Sequence, residues 1–172
     1  LLDLGCGTGK DCMFFSEQRI HATGVDSSST ATKIANSAKD SPEFVCQEIL
    51  SYLDNYQSEP WDLIYSINAL NYTALNLPLV FKHIKRVSAP DAYLAISLFA
   101  DDDEEYIHNE KVGANLYKSE HGEIYLCSEK DIRKLFTDFQ AIKLWNDSYI
   151  DKPHPGAEFE HKNSFWRIIA KS

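Results

Sequence analysis

The chain has 172 residues, 44% of them hydrophobic and 25% charged, and its formal net charge is −9 at pH 7. A surface that follows nucleic-acid phosphates needs an excess of Lys and Arg, so this acidic balance disfavours a nucleic-acid partner. No apolar run approaches the roughly 20 residues that a bilayer requires, and four cysteines without a CxxC pair are typical of reduced thiols. We therefore predict a single cytoplasmic domain over residues 1–172, without a membrane partner and with an oligomeric state that the sequence leaves open.

Short β-type runs alternate with helical patterns along the chain, which favours an α/β fold. The first strand, at 1–4, is shorter than a usual buried strand, so we expect an N-terminal cap upstream of it. Helices are predicted from Lys10 to about Gln18, across 31–38, from Pro78, and after a capping box at 128–131. The stretch 100–124 is interpreted as an irregular insertion or lid. The remaining predicted strands are 21–25, 43–46, 61–66, 92–99, 141–145 and 165–170.

A glycine-rich loop follows the first strand and leads into a helix. Its glycines stand at 5, 7 and 9, where they can adopt backbone angles that a side chain would forbid and let a ligand approach the backbone. The free N–H groups of a helix start favour an anionic group such as a carboxylate. Asp3, at the end of the strand, can receive an ammonium group directly or through water. The loop therefore fits a ligand with an amino-acid moiety.

A second carboxylate, Asp26, follows Gly5 by 21 residues and ends the second predicted strand. A carboxylate in this position can accept hydrogen bonds from both hydroxyl groups of a ribose. A dinucleotide loop of the pattern Gly-x-Gly-x-x-Gly would require glycine at position 10 or 12, which Lys10 and Cys12 occupy. The sequence thus favours a nucleoside with an amino-acid tail over a nicotinamide or flavin cofactor.

These motifs resemble, over nearly the whole chain, those of the class I S-adenosylmethionine (SAM)-dependent methyltransferases, with the small-molecule type favoured. Residues 1–9, Leu-Leu-Asp-Leu-Gly-Cys-Gly-Thr-Gly, are close to the first motif of that family, and 24–28, Gly-Val-Asp-Ser-Ser, match its acidic second motif. Residues 44–49 match the adenine segment, although Glu48-Ile49 stands where the family commonly has Asp-Ala. Residues 61–66 match the fourth strand, and 86–90 resemble the turn before the fifth, with Asp91-Ala92 in place of the usual glycine pair.

The resemblance implies a Rossmann-like three-layer α/β sandwich, with a seven-stranded sheet that is parallel except for its last strand. It also implies SAM as the cofactor and S-adenosylhomocysteine as its product. The residues that it places around the cofactor are Asp3, Gly5, Cys6, Gly7, Thr8, Asp26, Ser27, Glu48, Ile49, Ser66 and Asn68. Of these, Asp3, Gly5, Gly7 and Thr8 would line the methionine part, and Asp26 would bind the ribose with Ser27 beside the adenine. Glu48 and Ile49 would flank the adenine, and the last two would lie near the sulfonium and the substrate.

The acceptor is predicted to be a small molecule, with an oxygen, nitrogen or sulfur nucleophile. The Asp- or Asn-Pro-Pro-aromatic pattern of DNA-amine methyltransferases is absent after the fourth strand, where residues 66–72 read Ser-Ile-Asn-Ala-Leu-Asn-Tyr. A methyl on a positive sulfur is already activated, so catalysis depends mainly on positioning, and a general base helps only when the acceptor must lose a proton. The candidate catalytic residues are Tyr72, His154 and His161, the histidines because of their near-neutral pKa.

Two other functions remain open at this point. A SAM-binding regulatory module without turnover would keep the same loop. An enzyme that uses SAM for a reaction other than methyl transfer, such as a polyamine synthase, would need convergent carboxylates. The acidic run 101–105 is the densest block of this kind, and we interpret it as a solvated loop. No metal site is predicted, because consecutive carboxylates alone do not converge on an ion.

Overall fold

A computed structural model describes residues 1–38, 41–72, 76–119, 122–154 and 158–172, with the backbone alone at 141 and 142. Within these ranges the chain forms one large sheet and one small sheet, flanked by helices. None of the helices in the described ranges has the length and apolar character needed to cross a membrane.

The large sheet has seven strands. They are β1 (Leu2–Leu4), β2 (Thr23–Asp26), β3 (Glu43–Cys46), β4 (Trp61–Ser66), β5 (Ser88–Phe99), β9 (Gln140–Asp151) and β10 (His161–Lys171). Their order across the sheet is β3-β2-β1-β4-β5-β10-β9. Neighbouring strands are parallel except for β10, which is antiparallel to both β5 and β9. This topology confirms the predicted Rossmann-like fold with its last strand antiparallel.

Helices cover both faces of the sheet, because side chains of a buried strand point alternately to either side. On β1, Leu2 and Leu4 belong to one core cluster, whereas Leu1, just before the strand, belongs to the other. The first cluster also contains side chains of α3 (Ile49–Asn55), α4 (Leu77–Val87) and α5 (Glu129–Leu135). The second contains side chains of α1 (Lys10–Glu17) and α2 (Ser29–Ala35). Because parallel strands run in one direction, their carboxyl ends lie side by side at the same end of the sheet. We call this end of the sheet the open edge.

The stretch 100–124 contains regular structure that the sequence analysis did not predict. Three short antiparallel strands, β6 (Lys111–Gly113), β7 (Leu116–Ser119) and β8 (Gly122–Tyr125), form a separate sheet in that order. A third hydrophobic cluster joins this sheet to the large one, since Ile124 packs with Phe99 and Phe165. The sequence expectation of an irregular stretch was wrong because these strands are only three or four residues long, too short for alternation to show.

Candidate functional site

The loop from Gly5 to Gly9 lies at the carboxyl end of β1, held against β2. The backbone N–H groups of Gly5 and Cys6 both donate to the carbonyl of Val25, at 2.8 and 3.1 Å. All three glycines have positive φ, with values of 81° for Gly5, 53° for Gly7 and 80° for Gly9. This left-handed conformation costs other residues roughly 1–2 kcal/mol each. At each of the three positions, the left-handed backbone conformation therefore explains why the sequence has a glycine.

The three glycines differ in what surrounds them. A Cβ at Gly5 would lie 2.1 Å from the Cβ of Ala69, and one at Gly9 would lie 2.3 Å from the ring of Phe44. A Cβ at Gly7 would meet no atom of the described residues within 4 Å. Gly5 and Gly9 thus allow close packing within the protein, whereas Gly7 presents bare backbone to open space at the edge of the sheet.

Asp3 is a buried carboxyl beneath this loop, with only 3% of its surface exposed. Its pKa is raised to about 7, mainly by burial and to a smaller extent by the nearby carboxylates Asp11 and Asp26, against the lowering effect of a hydrogen bond from Cys12. The Cys12 thiol donates to Asp3 Oδ2 over 3.4 Å. A cation placed beside Asp3 would stabilise its ionised form, which is the property expected of a residue that receives an ammonium group.

Asp26 joins the glycine loop to the start of α2. One of its carboxylate oxygens accepts from the backbone N–H of Gly7 and the other from that of Ser28, both at 2.8 Å. These two bonds fix the plane of the carboxylate, and each oxygen keeps further acceptor capacity. Ser27, between them, is exposed, as expected for a residue beside a ligand.

The other predicted residues of the loop have different surroundings. Cys6 directs its side chain under the loop, where Sγ lies 2.7 Å from the position that a Cβ of Gly24 would take. Burial raises the pKa of this thiol to about 12, so Cys6 is a neutral packing group and contributes its backbone to the loop. Thr8 is half-buried at the turn into α1.

The predicted adenine residues lie at the start of α3, a helix that the sequence analysis did not identify. Glu48 is exposed and occupies the N-cap position without accepting a capping hydrogen bond. Ile49 is buried, and its Cδ1 lies 4.0 Å from the position of a Cβ on Gly5. The structure therefore places Glu48 on the surface of this edge and Ile49 in the packing beneath the loop.

Ser66 and Asn68 lie at the end of β4. Ser66 is fully buried, and its hydroxyl donates to the Leu4 carbonyl over 2.7 Å, which links β4 to β1. Asn68 is exposed with a φ of 56°, and its backbone N–H donates to the hydroxyl of Ser97 over 2.9 Å. The Ser97 hydroxyl donates in turn to Asn68 Oδ1 over 2.9 Å. Ser97 thus holds Asn68, and no motif in the sequence marked it.

The three predicted catalytic residues belong to one group of neighbouring polar side chains at the open edge of the sheet. The pKa of Tyr106, within the 100–124 stretch, is raised by burial first and then by its neighbours Tyr72 and Glu105. Glu105 Oε2 lies 3.9 Å from Nε2 of His161, and the rings of His161 and His154 are 5.2 Å apart. We call this set, Tyr72, Tyr106, Glu105, His154 and His161, the acceptor-side cluster. The sequence analysis placed Glu105 only within the acidic run 101–105, and the pairing of β5 with β10 brings it close to His161.

The acidic run 101–105 is only in part the solvated loop that we predicted, since 101, 102 and 104 are exposed but Asp103 is buried. Asp103 is fully buried and accepts from the backbone N–H groups of Ser164 at 2.7 Å and Glu105 at 3.1 Å. Asp102 forms an ion pair with Lys162, and Glu104 accepts from the backbone N–H of the same lysine over 2.8 Å. Because these carboxylates bind the start of β10, they are not grouped to receive a polyamine.

Comparison with known proteins gives a family. A profile described as a methyltransferase domain matches residues 1–141. A sequence comparison with curated proteins found no match. Among solved structures, a SAM-dependent methyltransferase from Methanosarcina mazei superposes with a TM-score of 0.78 at 19% identity, over 99% of this chain and 91% of the other.

Two further structures have ligands in their descriptions. Magnesium protoporphyrin IX methyltransferase from Synechocystis, with bound SAM, has a TM-score of 0.61 at 16% identity, over 99% of this chain and 68% of the other. The other is the 1,6-didemethyltoxoflavin-N1-methyltransferase from Burkholderia thailandensis, with bound 1,6-didemethyltoxoflavin and S-adenosylhomocysteine. Its TM-score is 0.63 at 19% identity, over 97% of this chain and 69% of the other. At such low sequence identities, the similarity to these structures shows a shared fold alone.

The profile covers most of the chain, so this protein belongs to the methyltransferase domain family. The predicted membership of the class I SAM-dependent methyltransferases is confirmed, and SAM is the cofactor that this membership implies.

Proposed function

We propose that the protein transfers a methyl group from SAM to a small-molecule acceptor. The observation that carries the proposal is the loop at the end of β1, in which Gly7 faces open space while its N–H holds the Asp26 carboxylate. Such a loop presents backbone donors, a fixed carboxylate and the buried Asp3 to one ligand. These groups fit the carboxylate, ribose hydroxyls and ammonium of SAM.

On the donor side, the residues of this chain bind and orient. Burial raises the pKa of Asp3 to about 7, because ionising a buried carboxyl costs free energy. Pairing with an ammonium group offsets that cost, so Asp3 favours a cation. Asp26 accepts hydrogen bonds from ribose hydroxyls, with Ser27, Glu48 and Ile49 around the adenine. Ser66 supports the end of β4, where Asn68 faces the reacting groups. When bound, SAM supplies an activated methyl group.

On the acceptor side, we propose roles for Tyr72, His154 and His161. Burial raises the pKa of Tyr72, so its hydroxyl stays protonated near neutrality and is suited to orient an acceptor. The two histidines supply the imidazole nitrogens of this cluster, a type of group that serves as a general base. The small sheet β6-β7-β8 packs over the same edge through Phe99 and Ile124, which supports a role for 100–124 as a lid that limits water access.

Cofactor binding can be tested by calorimetric titration with SAM and with S-adenosylhomocysteine. We expect Asp26→Ala to weaken binding by about 10- to 100-fold, because it removes hydrogen bonds to a charged acceptor worth roughly 1.5–3 kcal/mol. Asp138→Ala, which removes an exposed carboxylate after α5, should leave the affinity unchanged. A folded wild-type protein that bound neither compound would contradict the proposal.

Turnover is tested by a panel of small hydroxyl, thiol and amine compounds, with release of S-adenosylhomocysteine as the signal. Release that depends on the acceptor supports methyl transfer. Tight cofactor binding without release for any compound would favour a regulatory module instead. Methylthioadenosine as product would indicate a reaction of the polyamine-synthase type.

A further inference from the structure

Two histidines and an aspartate converge where the last two strands of the sheet meet. Asp151 is the last residue of β9, and His161, the first residue of β10, lies directly opposite it in the antiparallel register. His154 lies in the segment between the strands. One potential ligand atom from each of the three side chains lies within 4.8 Å of the other two. The strand register thus gathers residues that the sequence separates.

Two of these side chains are held by backbone groups. His161 is only 7% exposed, and its Nδ1 lies 3.1 Å from the carbonyl oxygen of Phe159. A carbonyl can only accept, so this contact places the ring proton on Nδ1 and the lone pair on Nε2, which lies 3.5 Å from Nδ2 of Asn163 and would exchange that contact for a metal ion. The backbone N–H of Lys152 donates to Asp151 Oδ1 over 2.8 Å. Hydrogen bonds of this kind orient the ligands of metal sites.

The charges around the histidines also favour a cation. Glu105 Oε2 lies 3.9 Å from Nε2 of His161, and the carboxylate of Asp151 lies on the other strand. The nearby Lys162 is already paired with Asp102. The carboxylates of Glu105 and Asp151 therefore place negative charge beside the imidazoles, which a divalent ion would compensate.

We infer that Asp151, His154 and His161 bind a divalent transition-metal ion such as Zn²⁺. Imidazole nitrogen and carboxylate oxygen suit zinc, and three protein ligands leave one position of a tetrahedral ion open. Ligand atoms around a tetrahedral zinc are about 3.4 Å apart for bonds of roughly 2.0–2.1 Å. The three ligand atoms lie within 4.8 Å of one another, so metal binding requires that the half-buried side chains of Asp151 and His154 move inward.

This site goes beyond the proposed methyl transfer and does not depend on it. In the metal-bound protein, His154 and His161 are ligands and no longer serve as free bases. The open coordination position then lies at the end of the acceptor-side cluster, on the same edge of the sheet as the glycine loop.

The test is metal binding by the full chain after treatment with a chelator, measured calorimetrically with Zn²⁺ and by the visible spectrum with Co²⁺. We expect one Zn²⁺ per chain, a tetrahedral cobalt spectrum, and no comparable binding of Mg²⁺, which prefers oxygen ligands. Asp151→Asn and His154→Ala should each weaken Zn²⁺ binding at least tenfold and abolish the cobalt spectrum. His108→Ala, which removes an exposed histidine of the lid, is the matched control and should bind as the wild type does.

Because His161 is buried, its replacement by Gln is informative only if thermal unfolding shows a folded variant. Asp151→Asn preserves shape at a half-exposed position, so it keeps the test valid in either case. The inference is overturned if the wild type binds no Zn²⁺, or if Zn²⁺ binds equally well to Asp151→Asn and His154→Ala. SAM binding should persist in these variants, so a failure of the metal site is distinguishable from a failure of the proposed function.

Discussion

At the scale of single residues, Gly5 and Gly7 have similar backbone conformations but different neighbours. Both have positive φ, so a side chain at either position strains the backbone. Of the two, Gly5 alone also has Ala69 within collision distance, 2.1 Å from the position that a Cβ would take. The structure therefore separates a glycine required for packing from one whose open side is available to a ligand.

We expect Gly5→Ala to lower the free energy of unfolding by roughly 2–4 kcal/mol, since strain and collision add. Gly7→Ala should lower it by only about 1–2 kcal/mol, the backbone cost alone. The same Gly7→Ala variant should nevertheless weaken SAM binding at least tenfold, because its methyl group enters the space beside the loop. Urea unfolding and calorimetry on both variants check this, and equal stability losses would show that the contact with Ala69 does not matter.

At the scale of elements, a single side chain of α4 satisfies the end of α3. The Arg86 guanidinium donates to the carbonyl of Tyr56 over 2.9 Å and to those of Leu53 and Asp54. The last carbonyls of a helix lack an intrahelical partner, so these bonds add to the capping bond that the Tyr56 N–H donates to the Leu53 carbonyl over 3.2 Å. α3 was absent from our predicted elements because Arg86, which completes it, lies 30 residues after Tyr56.

Arg86→Met should lower the free energy of unfolding by about 1–2 kcal/mol, since hydrogen bonds from a charged donor are lost at an exposed position. Lys82→Met removes an exposed cation from the same helix and should change stability by less than about 0.5 kcal/mol. Denaturant unfolding of the two variants gives the comparison. Equal effects would mean that the charge of α4, and not the capping of α3, determines the loss.

At the scale of the whole molecule, two buried carboxyls lie below the open edge of the sheet. Burial raises the pKa of Asp3 to about 7 and that of Asp103 to about 6. Asp3 lies under the cofactor loop, whereas Asp103 joins β10 to the segment after β5 through its bond from Ser164. Both are protonated more readily in the folded chain than in the unfolded chain, where the pKa is close to 3.8.

The stability of the folded chain should therefore depend on pH in a defined direction. The contribution of each group is fully present below pH 3.8 and is lost as pH rises through about 6 for Asp103 and about 7 for Asp3. The slope is at most about 1.4 kcal/mol per pH unit for each group. Unfolding by urea at a series of pH values should show a shallower decline between pH 6 and 7 in Asp3→Asn than in the wild type. Identical profiles would contradict the assignment to Asp3.

The sequence by itself determined the cofactor loop and the class of fold. Glycines at 5, 7 and 9 record local backbone requirements, and Asp26 follows at a spacing set by one strand–helix–strand unit. Such features depend on neighbours in the chain, so they are readable from it. The alternation of strands and helices indicated the α/β class, and the family resemblance implied the antiparallel last strand.

Only the tertiary structure decided how the acceptor side is assembled. Glu105 and His161 come together because β5 and β10 pair in one register, and Asp151 meets His161 because β9 pairs with β10. Tyr72 is placed by its bridge to Ile124 of β8. The burial of Asp103 likewise depends on the backbone of Ser164, far along the chain. Contacts between residues this distant in sequence leave no local pattern, since the register that creates them is set by the packing of the whole sheet.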